Sequence, residues 1–171
     1  HEVRLTAQSA GKLLTEARAK GALLPDWTWQ GEISQLLNQG QYALRLRAPA
    51  QIKISPSEQV IEHLQALVFN HIQLDLDFLQ LQQGNIRSQG RAENISLEDI
   101  LQFQQNKQKI NNTLRFNTEW NIHLADSANG QVRIQRTTGD LMILANNKLG
   151  IGLSEAWLNA EIKNNQAQLS T

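Results

Sequence analysis

The sequence predicts a mainly β chain of long antiparallel strands with one short helix near residues 97–106. Three observations carry this. Segment after segment alternates apolar and polar side chains with a period of two, and the three prolines, Pro25, Pro49 and Pro56, fall between those segments. One stretch alone breaks the alternation, and it has the chemistry of a helix start. The chain has 171 residues with 40% hydrophobic and 19% charged side chains, enough apolar content for a folded core and one domain's worth by length.

The first strand signal is Trp29-Gly31-Ile33. Next comes Ala43 to Ala48, with Leu44 and Leu46 on one side and Arg45 and Arg47 on the other, and then Ile52-Ile54. Ile72-Leu74-Leu76-Phe78 alternates as well, but the apolar parity switches after Phe78 to Leu79 and Leu81, which in a strand signals a bulge or bend. The helix signal follows. Ser96 is the expected N-cap, Asp99 stands at the capping-box position, and Ile95 and Ile100 are placed as a hydrophobic staple. Leu97, Ile100, Leu101 and Phe103 would give this helix an apolar side to dock on the sheet or plug its end. The polar run 106–112 reads as a loop.

Residues 114–124 carry the clearest strand. Leu114, Phe116, Thr118, Trp120, Ile122 and Leu124 share one parity, and Arg115, Asn117, Glu119, Asn121 and His123 the other. At about 3.3 Å per residue this strand would be roughly 35 Å long, about twice the usual length. Ala128-Asn129-Gly130 reads as the turn into a second arm over 131–144, with Val132 and Ile134, then a Gly139-Asp140 turn, then Leu141 and Ile143. Ala156-Leu158-Ala160-Ile162 closes the series, and the whole is a meander.

Charge and composition exclude several functions. Sixteen basic and sixteen acidic side chains cancel, so no strong field exists to hold nucleic acid or an anionic surface. Polarity comes instead from 21 Gln and 15 Asn, about a fifth of the chain, which wet a surface without charging it. With no Cys there is no disulfide, thiol nucleophile or thiolate metal site. No apolar run approaches the roughly 20 residues of a membrane helix. His1, His63, His71 and His123 are scattered, with no Ser or carboxylate in a recognisable relation to them, and phosphate-cradling Gly loops and nucleophile elbows are absent. The expectation is a protein without catalysis, cofactor or metal. His71, Asp75 and Asp77 share a parity and would be the nearest approach to a metal site, but solvated positions opposite Leu74 and Leu76 explain them equally well. The chain starts without Met and stops at Thr171 within a strand-like pattern, so it reads as a piece of something longer.

Several segments together resemble the TamB-type proteins of the AsmA-like group. Thr118-Glu119-Trp120-Asn121, then Gly130-Gln131-Val132-Arg133-Ile134-Gln135-Arg136-Thr137-Thr138-Gly139-Asp140-Leu141, then Leu149-Gly150-Ile151, follow that family's W…G-x-(V/L)-x-(V/L)-x-R-x-x-G-D-L…LG(L/I) pattern. Upstream, Trp29-Gln30-Gly31, the run from Leu44 to Ala50, and Gly84 to Arg91 leading to Ile95-Ser96-Leu97 fit the same order and spacing. The resemblance covers most of residues 27–160. It departs at Ile151, where Leu is commoner, and over 57–71, which match poorly.

What the resemblance implies is a β-taco, or repeating β-groove: long strands curled into an open trough with an apolar inner face. The parent proteins are anchored in the inner membrane and cross the periplasm of Gram-negative bacteria. They are implicated in moving phospholipid to the outer membrane and, with an Omp85-type barrel partner named TamA, in assembling outer-membrane proteins. The residues that would line the groove are Leu44, Leu46, Ile52, Ile54, Leu74, Leu76, Leu114, Phe116, Trp120, Ile122, Leu124, Val132, Ile134, Leu141, Ile143, Leu158 and Ile162. Taken without the family, an alternating apolar face more often packs a closed sandwich or barrel. Two further readings remain beside the lipid conduit. One is a scaffold whose strand edges accept nascent outer-membrane proteins by β-augmentation, and the other is a ligand-free spacer. Arg136 is expected to pair with Asp140 or cap a strand edge, and Gly139-Asp140 to be a structural turn.

Overall fold

The computed structural model describes residues 2–9, 12–40, 42–101, 113–140, 142–144, 148–150, 152 and 154–171. These form one 12-stranded antiparallel sheet, a separate two-stranded ribbon and one short helix. In chain order the strands are β1 (Glu2–Ser9), β2 (Lys12–Leu23), β3 (Trp29–Asn38), β4 (Leu44–Ala48), β5 (Ala50–Ile54), β6 (Glu58–Val68), β7 (Ile72–Gln82) and β8 (Asn85–Ser96). After α1 (Leu97–Leu101) come β9 (Arg115–Leu124), β10 (Ala128–Thr138), β11 (Met142–Leu144), β12 (Lys148–Gly150), β13 (Trp157–Lys163) and β14 (Gln166–Ser170).

Strands close in sequence are mostly neighbours in space. The sheet runs β1-β2-β3-β4-β6-β7-β8-β9-β10-β13-β14, and β5 pairs β3 and β6 beside β4. Eleven strand positions at about 4.8 Å each make the sheet roughly 48 Å across its strands. Because every pairing is antiparallel, side chains directly opposite one another line up in rows across the sheet. One such row is Leu46-Ala66-Leu74-Ala92-Thr118-Ile134-Leu158, and the next is Leu64-Leu76-Gly90-Trp120-Val132-Ala160-Leu169.

A line of irregularities crosses four adjacent strand positions. Ser34 is the extra residue where β3 slips against β2, Pro49 separates β4 from β5, His63 takes a φ of 55° in β6, and Asp77 is the extra residue where β7 slips against β8. Ser34 and Pro49 both adjoin the Ile33–Ala50 pair, and His63 and Asp77 both fall between the pairs Glu62–Phe78 and Leu64–Leu76. A bulge bends its strand and shifts its side-chain parity by one. The apolar positions shift with it: Ile33 gives way to Leu36, Ile61 to Leu64, and Leu76 to Leu79, so the same face stays apolar on both sides of the line. Ala50, Leu64 and Ala66 beside this line are buried, and Leu44, Leu46, Ile61, Leu74 and Leu76 pack against them.

This geometry corrects the parity of Phe78. The switch in β7 lies at Asp77, one residue earlier than the apolar run suggests, so Phe78 pairs with Glu62 and Gln89 on the polar face. Its ring there meets the Arg87 guanidinium, 5.9 Å from the centroid.

The helix start matches its sequence signal. Asp99 N donates to Ser96 Oγ at 3.1 Å, while Ser96 N and Ser96 Oγ donate to Asp99 Oδ2 at 2.7 and 2.6 Å. Ile100 is exposed at 47% and does not dock, and the rest of the expected helix, Phe103 included, lies outside the described residues.

Three further expectations are corrected. The turn between β9 and β10 is 125–127, where Ala125 N donates to Ser127 O; Gly130 lies inside β10, opposite Ile122. The arm expected over 131–144 ends at Thr138, and Ile143 belongs to the β11-β12 ribbon, which is not part of the large sheet. Leu114 precedes β9 and is buried at 4% exposure.

Gly90 shows how tightly β7, β8 and β9 are drawn together. A Cβ there would stand 2.7 Å from the Asp75 carbonyl oxygen and 2.8 Å from the Trp120 ring, which covers the gap that the missing side chain leaves. Gly90→Ala is expected to destabilise the fold by about 1–3 kcal/mol through overpacking, read as a lower urea midpoint with an unchanged slope.

Candidate functional site

The candidate site is the apolar face itself. Of the positions that sequence assigns to it, Leu44, Leu46, Ile52, Ile54, Leu74, Leu76, Phe116, Trp120, Ile122, Leu124, Val132, Ile134, Leu158 and Ile162 share that face on six strands, β4, β5, β7, β9, β10 and β13. Leu114 stands one residue before β9, Ile143 belongs to the separate ribbon, and Leu141 lies outside the described residues. Residues that the alternation missed join them: Val3 and Leu5 opposite Ala19 and Ala17 in the β1-β2 hairpin, Ile61, Leu64 and Ala66 in β6, Leu79 and Leu81 beyond the bulge, and Leu169 in β14.

Burial on this face is uneven: Ile72, at the turn end of β7, is 7% exposed. Ala50 and Ala66 are fully covered and Leu64 is 9% exposed, whereas Ile54, Leu81 and Leu124, at the turn ends of their strands, are 43%, 39% and 38% exposed. Among the described residues no large side chain is fully buried. The chain's accessible surface, 11848 Å², exceeds the roughly 8,500 Å² expected of a compact protein of its mass.

Trp120 is the one aromatic on the face with a polar tie. Its Nε1 donates to Ser88 Oγ at 2.9 Å across the β8-β9 ladder, which fixes the indole over Gly90 and satisfies its only donor.

The opposite face is polar and internally paired. A cross-strand row Gln65-Asp75-Arg91-Glu119-Arg133-Asn159 alternates acid and base, and Arg91 grips Asp75 through Nε and Nη2 at 3.1 and 2.9 Å. Two shallow depressions lie on this side. One is lined by Lys53, Glu58, Val60, Phe78, Gln80 and Arg87, and the other by the row above with Asp77, Gln89 and Trp157. Asp77 accepts from Gln89 Nε2 at 3.0 Å, and His71 stands in the β6-β7 turn, so the three residues that invited a metal reading bind different partners. Among the described residues no group of three His, Cys, Asp or Glu is placed to hold a metal ion.

His71 instead links that turn to α1. Its Nδ1 donates to Phe69 O and its Nε2 meets Asp99 Oδ2, each at 2.8 Å. Burial pushes the Asp99 carboxyl up, but the hydrogen bonds from Ser96 and His71 outweigh it and hold it below its ordinary value. Glu16 is held low by its bond from Arg18, Asp26 by the Thr28 hydroxyl, and Glu58 by Lys53 and Gln80.

The Arg136-Gly139-Asp140 stretch is a clamp. Arg136 donates through Nε and Nη2 to Gly139 O at 3.0 and 2.6 Å, and through Nη1 to Ser154 O at 2.8 Å. Gly139 takes a φ of 82°, which an L side chain rarely adopts. Asp140 Oδ2 accepts from Gly152 N at 2.7 Å. These bonds gather the two ends of the excursion that carries the β11-β12 ribbon, so that β13 can rejoin the sheet beside β10. Asp140 accepts from the Gly152 amide, while Arg136 binds the carbonyls of Gly139 and Ser154, both outside the strands.

A comparison with known protein families, curated protein sequences and solved structures returns no match for this chain. Among the described residues no helix is long and apolar enough to cross a membrane.

Arg136→Ala removes three charge-assisted bonds to carbonyls and is expected to cost about 1.5–3 kcal/mol, seen as faster amide exchange at the β10-β13 junction. The four lowered carboxyls set a second expectation. Each binds protons more weakly folded than unfolded, so their stabilisation is complete above the unfolded carboxylate range near pH 4 and is lost as pH falls below it. Urea midpoints measured from about pH 6 down to pH 2.5 are expected to hold above that range and drop within it.

Proposed function

We propose that this chain is a section of a hydrophobic conduit of the TamB type, in which the apolar face shields phospholipid acyl chains in transit between the inner and outer membranes of a Gram-negative cell. The observation that carries the reading is a single apolar face maintained over eleven strand positions while no large side chain on it is fully buried. A closed sandwich or barrel of twelve strands would bury its largest residues; this face leaves Val3, Leu5, Ile54, Leu81 and Leu169 between 39% and 65% exposed.

An acyl chain is the simplest cover for such a surface. It needs no directional partner, and each Å² of apolar area it hides is worth about 25 cal/mol. Bulges that bend four neighbouring strand positions along one line are a device that curls a flat sheet. The periplasmic setting, the inner-membrane anchor and the TamA-type barrel partner belong to this reading through the sequence resemblance. A scaffold for nascent outer-membrane proteins is the second reading, favoured by β14, an edge strand with every residue exposed and no charge or proline in it.

The conduit predicts parity-dependent lipid binding. Purified chain carrying Leu79→Gln or Ile122→Gln is expected to take up about tenfold less fluorescent-acyl phospholipid, each change removing a half-buried apolar contact. Asn121→Asp, on the polar face, is expected to leave uptake unchanged. Equal uptake by all of them, with unaltered circular dichroism, would sink the reading.

A further inference from the structure

We propose that the β2-β3 turn, Leu23 to Trp27, is a membrane-docking tip that seats the protein on the headgroup-acyl boundary of a phospholipid surface. Residues 22–27 are all exposed, Leu23 at 51%, Leu24 at 42% and Trp27 at 75%, and Asp26 is the only ionisable residue between Lys20 and Glu32.

The turn is built to display this surface. Leu24 N donates to Thr28 O at 2.7 Å and Trp27 N to Leu24 O at 3.2 Å, which closes a three-residue loop of Pro25, Asp26 and Trp27. In such a loop proline suits the first place and the third is left-handed, a place for Gly or Asn. Here a tryptophan occupies it at φ 61°. A bulky residue held in that region is strained, and nothing in the fold recovers the cost, because the side chain is the most exposed of the large apolar residues.

The one charge in the tip is exposed but is tied to the turn by Thr28. Asp26 Oδ1 accepts from Thr28 N at 3.2 Å and Oδ2 from Thr28 Oγ1 at 2.9 Å, with Thr28 itself 3% exposed. Beside this carboxylate the tip displays two leucines, a proline and an indole, the composition of an interfacial anchor: apolar bodies for the acyl boundary and an N–H for the headgroups. Leu23 also pairs with Trp29, and Trp29 with Ile54, so the tip is continuous with the exposed margin of the apolar face.

Docking goes beyond the conduit reading, since a ligand-free spacer with this tip would dock as well. It is tested by co-flotation of the purified chain with vesicles of phosphatidylethanolamine and phosphatidylglycerol. The informative variant is Trp27→Gly, which relieves the left-handed strain and is expected to raise the thermal midpoint while lowering vesicle binding about tenfold or more, the factor one such buried side chain is worth. Leu24→Ser is expected to weaken binding similarly. Trp157→Ser, at another exposed tryptophan far from the tip, is expected to leave it unchanged. Three outcomes would overturn the proposal: folded wild type that does not float, Trp27→Gly that floats as well as wild type, or Trp27-dependent self-association without vesicle binding. Fluorescent-acyl uptake measured on the same variants separates the two readings, because loss of the tip is expected to leave detergent-delivered acyl uptake on the sheet face intact.

Discussion

Every strand that crosses the bulge line has to change parity there and still present its apolar side chains to the same face. The rest of the structure depends on this constraint. Without the bulge at Asp77, Leu79 and Leu81 would turn to the polar side and leave two half-faces instead of one. The sequence meets the constraint strand by strand, with an inserted residue at Ser34, a left-handed one at His63 and a proline at Pro49. Because these fall along one line, the bend is shared by neighbouring strands and runs along the sheet. Ala50, Leu64 and Ala66 lie buried beside it.

The two faces then divide the work. Opposed charges in the row from Asp75 to Arg133 and a surplus of amides keep the polar face hydrated without a net field, and they fix register, since a slip of one residue would set like beside apolar across every ladder. The apolar face is held by few polar ties, of which Trp120 to Ser88 is the chief one. The specific bonds are concentrated instead where the chain leaves the sheet: His71, Ser96 and Asp99 at the helix, and Arg136, Gly139 and Asp140 at the ribbon. Residues that look like a binding motif in sequence are there to return the chain to its register.

Much of this was legible in the sequence. Strands with large alternating residues, such as β7, β9 and β13, stand out by periodicity, and the Ser96-Asp99 capping box marks the helix start to the residue. β2 and β6 did not. In β2 the inward positions are Ala17, Ala19 and Gly21, too small to mark a face, and in β6 the parity change at His63 breaks the alternation into two short pieces. Phe78 was misplaced because the bulge is a backbone event: an apolar residue on the wrong side of it looks continuous with the run before. Ile143 was misplaced because alternation cannot tell a strand of the sheet from a ribbon beside it. The tip at Trp27 has no periodic signal at all; only its φ and exposure single it out.

The measurement that tests the conduit most directly places a genetically encoded photocrosslinker at Phe116, Trp120 and Ile134 on the apolar face, and at Asn117 and Glu119 on the polar one, in the parent protein in living cells, with mass spectrometry of what each position captures. The account predicts phospholipid adducts at the first three and none at the last two. Protein adducts on the apolar parity, or no adducts at any of the three in a folded protein, would contradict it.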